Sequence, residues 1–321
     1  MPKVAVTDYT FPELDVETSI LAPLGAQIVS LKQKRAAAEL LPLVADADQV
    51  ITQFAPVTAE VIQAMQHARV IVRYGIGVDN VDLEAARVRG IPVCNVPDYC
   101  IQEVADHTLG FILAATRQVV ASTQSIRSGE WKLPVPLTQM RTLCDLTVGL
   151  IGFGRIGREV GNRLQAFHTR VLVHDPMVPG TVMEAAGFTP ATLAQVLAES
   201  DVLSLHCPST AQTRGLINRE ALGQMKPGVI LVNVARGDLV DPDALLEALR
   251  SGHVSGAALD VFSPEPIPYE HPIRRLENVI LAAHIASASV PAVRRLRETV
   301  ANIVAASIRG EPLPNIVNGV K

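Results

Sequence analysis

The sequence predicts an α/β protein of two Rossmann-like, doubly wound parallel-sheet domains, with the active-site cleft between them. Three observations carry this. Short apolar runs alternate with helical patterns from the first residues, a glycine-rich turn follows one such run in mid-chain, and 321 residues suffice for two cores. KVAVTD, AQIVSL, QVITQF and RVIVRYG read as strands, with helices such as 58–66 and 82–89 between them. This first series closes near NVPD, where Pro97 breaks the pattern.

From Ile101 to about Arg117, Val104, Leu109, Ile112 and Leu113 recur at helical spacing and describe a long helix with one buried face. A less regular stretch, 128–145, holds Trp131. The second series then runs through TVGLIG, VLVHD, DVLSLHCP, VILVNVARG, GAALDVF and VILAAH, which is enough for a complete dinucleotide-binding sheet. One more helix, about 292–308, follows Pro291 and is expected to cross back to the first series. The expected organisation is therefore a discontinuous substrate-binding domain, 1–98 plus 290–321, around an NAD-binding domain at 99–289.

Hydrophobic residues make up 48% of the chain and charged residues 19%, a balance suited to a packed core. A net charge of -4 without a basic block gives no footprint for nucleic acid or an anionic membrane surface. No secretory signal opens the sequence and no apolar run is long enough to cross a bilayer, so a cytoplasmic location is expected. Cys94, Cys100, Cys144 and Cys207 show neither CxxC spacing nor a paired framework, which predicts neither disulfides nor a metal site.

VGLIGFGRIG contains GxGxxG as Gly152, Gly154 and Gly157, directly after an apolar strand and directly before a helix-forming run. In that context the first glycine permits a tight turn, the second lets the backbone approach a pyrophosphate and the third lets the helix pack against the sheet. Asp175 ends the next strand, where a carboxylate accepts both ribose hydroxyls and repels the extra phosphate of NADP; NAD is the expected cofactor.

Ligands of open parallel sheets bind beyond the carboxyl ends of the strands, so charged residues that follow apolar runs are the candidates for chemistry. Arg236 follows VILVNVA, and its guanidinium suits a carboxylate, although a surface cation is the plain alternative. Asp260 ends GAALD and needs a fixed donor, plausible as the nicotinamide amide. Glu265 lies in the proline-stiffened SPEPIPYEHP, which read alone is equally an exposed connector. His284, in LAAHIAS, is a core histidine on the plain reading. With Glu265 on one ring nitrogen it becomes an oriented acid or base. His206, in LSLHCP, reads as lining the cofactor cleft.

With these residues in place, the chain resembles the D-isomer-specific 2-hydroxyacid dehydrogenases along nearly its whole length. The motifs are RYGIGVDNVD at 73–82, VADHT at 104–108, GFGRIG with Asp175, NVARGDLVD at 233–241, ALDVFSPEP at 258–266 and the strand ending in His284. The resemblance implies reversible hydride transfer between NAD(H) and a small 2-hydroxy or 2-oxo acid. It casts Arg236 as substrate anchor, Glu265 as partner of the base and His284 as the acid or base. It also implies NAD contacts from Gly152, Gly154, Arg155, Ile156, Gly157, Asp175, Cys207, Val234, Ala235, Arg236, Asp260 and His284. Tyr74, Gly75 and Ile76 resemble a substrate loop whose backbone amides meet the carboxylate, and 119–145 an arm that joins a homodimer through the NAD-binding domain.

Ala282 and Ala283 stand where the family usually has Thr-Pro, and Asp106 where glutamate is more usual. NVPDYCIQEVADHTLGFIL looks closest to the C-terminal binding proteins, NAD-linked corepressors, so an NAD(H)-sensing binding protein without turnover is the alternative. Ser287 stands where those corepressors carry a bulky aromatic. The phosphoglycerate dehydrogenase branch has cationic side chains near the end of the strand corresponding to QVITQF. Gln53 and Phe54 at that point imply a substrate without phosphate.

Overall fold

The four apolar runs of the N-terminal third form a parallel sheet in the computed structural model, which describes residues 1–33 and 35–320. β1 (Lys3–Val6), β2 (Gln27–Ser30), β3 (Gln49–Thr52) and β4 (Ile71–Arg73) are joined by a fifth strand, β5 (Val93–Cys94), in the order β2-β1-β3-β4-β5. The sequence reading missed β5, whose two residues are too few to show a period. α1 (Asp15–Leu21), α2 (Ala37–Val44), α3 (Ala59–Ala64) and α4 (Leu83–Val88) make the crossovers that parallel pairing requires. β3 is buried along its whole length, which is why QVIT reads as a run rather than an alternation. Leu40, Val44, Val61, Ile62 and Met65 close over Val50 and Ile71 to form this core.

The chain divides into two compact units, Met1–Tyr99 with the segment from Ser289 onward, and Cys100–Ala288. In the first unit the C-terminal helix, Val290–Arg309, packs on α1. Pro291 lies in its first turn, where a missing N–H costs nothing, and Gly310 ends it in the left-handed conformation. Arg297 of this helix donates to both oxygens of Glu17, at 3.0 and 2.6 Å, to Asp15 at 2.7 Å and to the Glu13 carbonyl at 2.8 Å. Glu17 is fully buried, and the Tyr74 hydroxyl also donates to it, at 2.9 Å. The tail continues along β5: Val317 donates to the Val93 carbonyl at 2.8 Å and Asn318 bonds both Val93 and Ile91, covering an edge.

The second unit opens with α5 (Ile101–Thr116) and α6 (Val119–Arg127), then an irregular stretch. Its strands are β6 (Thr147–Ile151), β7 (Arg170–His174), β8 (Thr189–Pro190), β9 (Val202–Leu205), β10 (Val229–Asn233), β11 (Val254–Leu259) and β12 (Val279–Leu281). They lie in the order β12-β11-β10-β9-β6-β7-β8, every neighbouring pair parallel. This is the doubly wound order, with the reversal between β6 and β9. The two-residue β8 was again invisible to periodicity. α7 (Arg155–Ala166), α8 (Gly180–Ala185), α9 (Leu193–Glu199), α10 (Arg219–Gln224) and α11 (Pro242–Ser251) complete the unit. Among the described residues no helix is long and apolar enough to cross a membrane.

Candidate active site

The glycine-rich turn sits at the reversal of the second sheet. Gly152 leaves β6 with φ +104°, and a side chain there would place its Cβ 2.6 Å from the Cys207 nitrogen. A Cβ on Gly157 would lie 2.1 Å from the Gly152 carbonyl oxygen, so α7 can press against the turn only with glycine at that point. Gly154, the N-cap of α7, is different: nothing lies within 4 Å of where its Cβ would be. That open backbone at a helix N-terminus is the cradle a pyrophosphate needs.

Asp175 is fixed beneath the turn, accepting from the Phe153 amide at 2.7 Å and the Met177 amide at 2.8 Å, while remaining half-exposed for a diol. Burial pushes the Cys207 thiol up to about 11 and His206 down to about 4, so both line the turn as neutral groups. His206 Nε2 lies 2.9 Å from the Ser204 hydroxyl, whereas its Nδ1 is buried without a hydrogen-bond partner among the described residues. Val234 and Ala235 follow β10, the latter donating to Asn233 at 3.1 Å. An open cradle, a positioned acid and neutral walls fit a dinucleotide.

The chemistry-bearing residues gather at the neighbouring strand ends. Gly237 lies so close to the next loop that its Cβ would fall 2.0 Å from the Phe262 carbonyl carbon. Glycine there seats the Arg236 turn against residues 262–265. The Phe262 amide donates to Glu265 Oε1 at 2.8 Å, which aims Oε2 at His284 Nδ1, also 2.8 Å away. Burial alone would raise the Glu265 carboxyl. The bond to His284, the charge of that ring, the Phe262 amide and the Arg236 guanidinium outweigh it and hold the group below the usual carboxylate range.

Asp260 has a role the sequence reading did not foresee. Fully buried, it accepts from the Ile285 amide at 2.8 Å and the Ala286 amide at 2.9 Å, and its carbonyl accepts from the His284 amide at 2.8 Å. These fixed donors belong to the chain's own backbone. They hold His284 at φ +54°, a left-handed conformation costly for a residue with a side chain. His107 adds a second surprise, with Nε2 3.8 Å from Asp260. The signal was present in both cases: an acid ending a buried strand and a histidine on the buried side of VADHT.

Tyr74, Gly75 and Ile76 belong to the first unit, and the amides of the first two bond within it. The Tyr74 amide donates to the Thr52 carbonyl at 2.8 Å and that of Gly75 to the Arg73 carbonyl at 2.9 Å, while the Tyr74 ring is buried. Gly75 adopts φ +146°, a backbone conformation that favours glycine, and the Arg73 guanidinium lies where its Cβ would be.

Fold and site together define a dinucleotide-binding protein with a carboxylate-oriented histidine at the sheet edge. The chain belongs to the D-isomer-specific 2-hydroxyacid dehydrogenase family, whose NAD binding domain matches residues 109–286; the second unit is accordingly an NAD-binding domain. It is 39% identical to a D-3-phosphoglycerate dehydrogenase of Mycobacterium leprae over 302 residues, 94% of this chain but only 57% of that one. A glyoxylate reductase of Korarchaeum cryptofilum is 39% identical over 282 residues, 87% of this chain and 85% of its own. The crystal structure of D-lactate dehydrogenase from Aquifex aeolicus, complexed with NAD and lactic acid, is 30% identical and superposes with a TM-score of 0.84 over 96% of each chain.

Proposed function

We propose that the protein is a cytoplasmic NAD-dependent D-2-hydroxyacid dehydrogenase that interconverts a small 2-hydroxy acid and the corresponding 2-oxo acid. The observation that carries this reading is the 2.8 Å contact between His284 Nδ1 and Glu265 Oε2 at the edge of an NAD-binding sheet. Bound NAD(H) supplies or accepts the hydride. Glu265 keeps a proton on Nδ1 and so directs Nε2 to the substrate oxygen, where His284 delivers a proton in reduction and removes one in oxidation. Arg236 takes the carboxylate as a permanently charged fork. In the first unit the amides of Ile76 and Gly77 are our candidates for the backbone donors to that carboxylate, with Asp175 selecting NAD. The corepressor-like alternative finds no support in the relatives described above, which are named as dehydrogenases and a reductase.

A homodimer through the NAD-binding domain is part of the proposal. Trp131 is 92% and Leu137 71% exposed, with Leu133, Val119 and Ile126 beside them in sequence, an apolar stretch that a second copy would cover. Sedimentation of the wild type and of a Trp131→Ser, Leu137→Ser variant checks this, with the variant expected to run as a monomer.

The test of the reaction is NADH oxidation against a panel of 2-oxo acids. His284→Ala is expected to lower kcat by about 10²–10⁴-fold with NADH affinity retained. Equal loss of both, or no turnover in the wild type, would overturn the reading.

A further inference from the structure

Helix α5 carries a part-buried histidine that the reaction proposed above does not use. His107 lies one turn from both Val104 and Phe111, which are buried, and the Phe111 ring braces it edge-on, with ring centroids 4.3 Å apart. Its Nε2 atom is buried without a hydrogen-bond partner among the described residues and faces Asp260 at the end of β11, 3.8 Å from the carboxylate. No other basic side chain among those residues stands within ion-pair distance of Asp260.

Asp260 is fully buried, and the donors to its two oxygens, the Ile285 and Ala286 amides, are neutral. A carboxylate taken out of water and met by neutral dipoles gains from a further N–H turned on it, while a bare nitrogen lone pair in the same place would repel it. The local sequence does not enforce the turn that Asp260 grips. LAAHIAS contains no proline, and Ala282 and Ala283 leave the backbone ahead of His284 without bulk. Yet His284 stands at φ +54° with its Nδ1 on Glu265, so the turn depends on what holds Asp260 in place.

We infer that His107 is a positioning residue of this site: its Nε2–H steadies the ionised Asp260 carboxylate, which fixes the 284–286 turn and keeps the His284 ring aimed at Glu265. His107 acts through Asp260 on a second imidazole and itself touches no reacting atom. Every residue in this chain of contacts lies within Cys100–Ala288, the second unit. The inference rests on the reaction proposed above only where it concerns turnover.

Three readouts on the full chain test this, and the first two need no turnover. Heteronuclear NMR of the wild-type ring is expected to show a proton on His107 Nε2; a bare Nε2 overturns the inference, whatever a variant does. In His107→Leu the Ile285 and Ala286 amides are expected to exchange with solvent about tenfold faster while the Leu150 amide of β6 is unchanged. His107→Gln, which returns an N–H at similar reach, is expected to restore them. Unchanged exchange in His107→Leu, an equal rise at Leu150, or no recovery in His107→Gln overturns the inference. The third readout is NADH-dependent reduction of the preferred 2-oxo acid, with kcat about tenfold lower in His107→Leu, recovered in His107→Gln, and the KM for NADH unchanged. Faster exchange with normal kcat confines His107 to the framework and overturns its link to the reaction. A wild type that reduces no 2-oxo acid removes the reaction, and the first two readouts still decide whether His107 positions the turn.

Discussion

The two sheets answer the same topological problem in opposite ways. Each reverses direction once, and each brings a run of backbone amides to the crevice so formed. At the reversal of the second sheet the turn is cleared by glycine and Gly154 is left open. At the reversal of the first, Asp8 fills the amides of Gln53, Phe54 and Ala55. An open nest receives charge from outside, while a filled one is rigid and leaves recognition to side chains. The same contrast separates the two paired carboxylates. Glu17 is sealed against Arg297 and belongs to the framework, whereas Glu265 and His284 are half-exposed and able to work on a ligand.

The largest expected effect that would break this contrast falls on the sealed pair. Glu17→Ala removes the buried carboxylate that pairs with Arg297 and accepts from the Tyr74 hydroxyl, and is expected to destabilise the first unit by about 3–5 kcal/mol in chemical denaturation. NADH affinity should stay near wild type, because the second unit carries the cradle. A parallel loss of cofactor binding would show that framework and site are not separate roles. Asp8→Ala comes next: three amides lose their acceptor, for a loss of about 1–3 kcal/mol in the same measurement. Asp175→Ala should weaken NADH relative to NADPH by about tenfold in fluorescence titration, since the diol loses its acceptor and the repulsion of the 2′-phosphate disappears.

The smallest effect concerns pH. Glu265 is held below its usual value of 4.5 in the folded chain, so it binds fewer protons than it would unfolded. Its ionised form therefore adds stability above that value and loses it as pH falls through the depressed one. The stability difference between wild type and Glu265→Gln is expected to be flat near neutrality and to vanish only in acid below 4.5. No difference at neutral pH would show that the ionised Glu265 carboxylate does not carry this stability.

Much of this architecture was written in the sequence, and the exceptions have physical reasons. Runs such as VILVN and VLSL show themselves because strands buried on both faces are continuously apolar, whereas β5 and β8 are two residues each and carry no pattern. The cofactor turn was legible because three positions admit only glycine or open backbone, and residue type encodes that directly. Arg236, Glu265 and His284 were legible as types at strand ends, but the role of each came from resemblance. What stayed hidden was bonding that residue type does not encode. The Tyr74 amide is engaged by Thr52, Asp260 serves the backbone of its neighbours, and Asp8 closes a nest formed 45 residues away.

The Arg297 to Glu17 contact also sets an order of events during synthesis. The two residues are 280 positions apart, so when Glu17 leaves the ribosome its guanidinium does not yet exist. At cellular elongation rates the interval is on the order of tens of seconds. In that interval the whole of Cys100–Ala288, an uninterrupted segment, emerges. The N-terminal ninety-nine residues must meanwhile wait with the Glu17 carboxylate lacking its guanidinium. The unit translated first is thus the one completed last, and the nucleotide-binding half matures while its companion is still nascent.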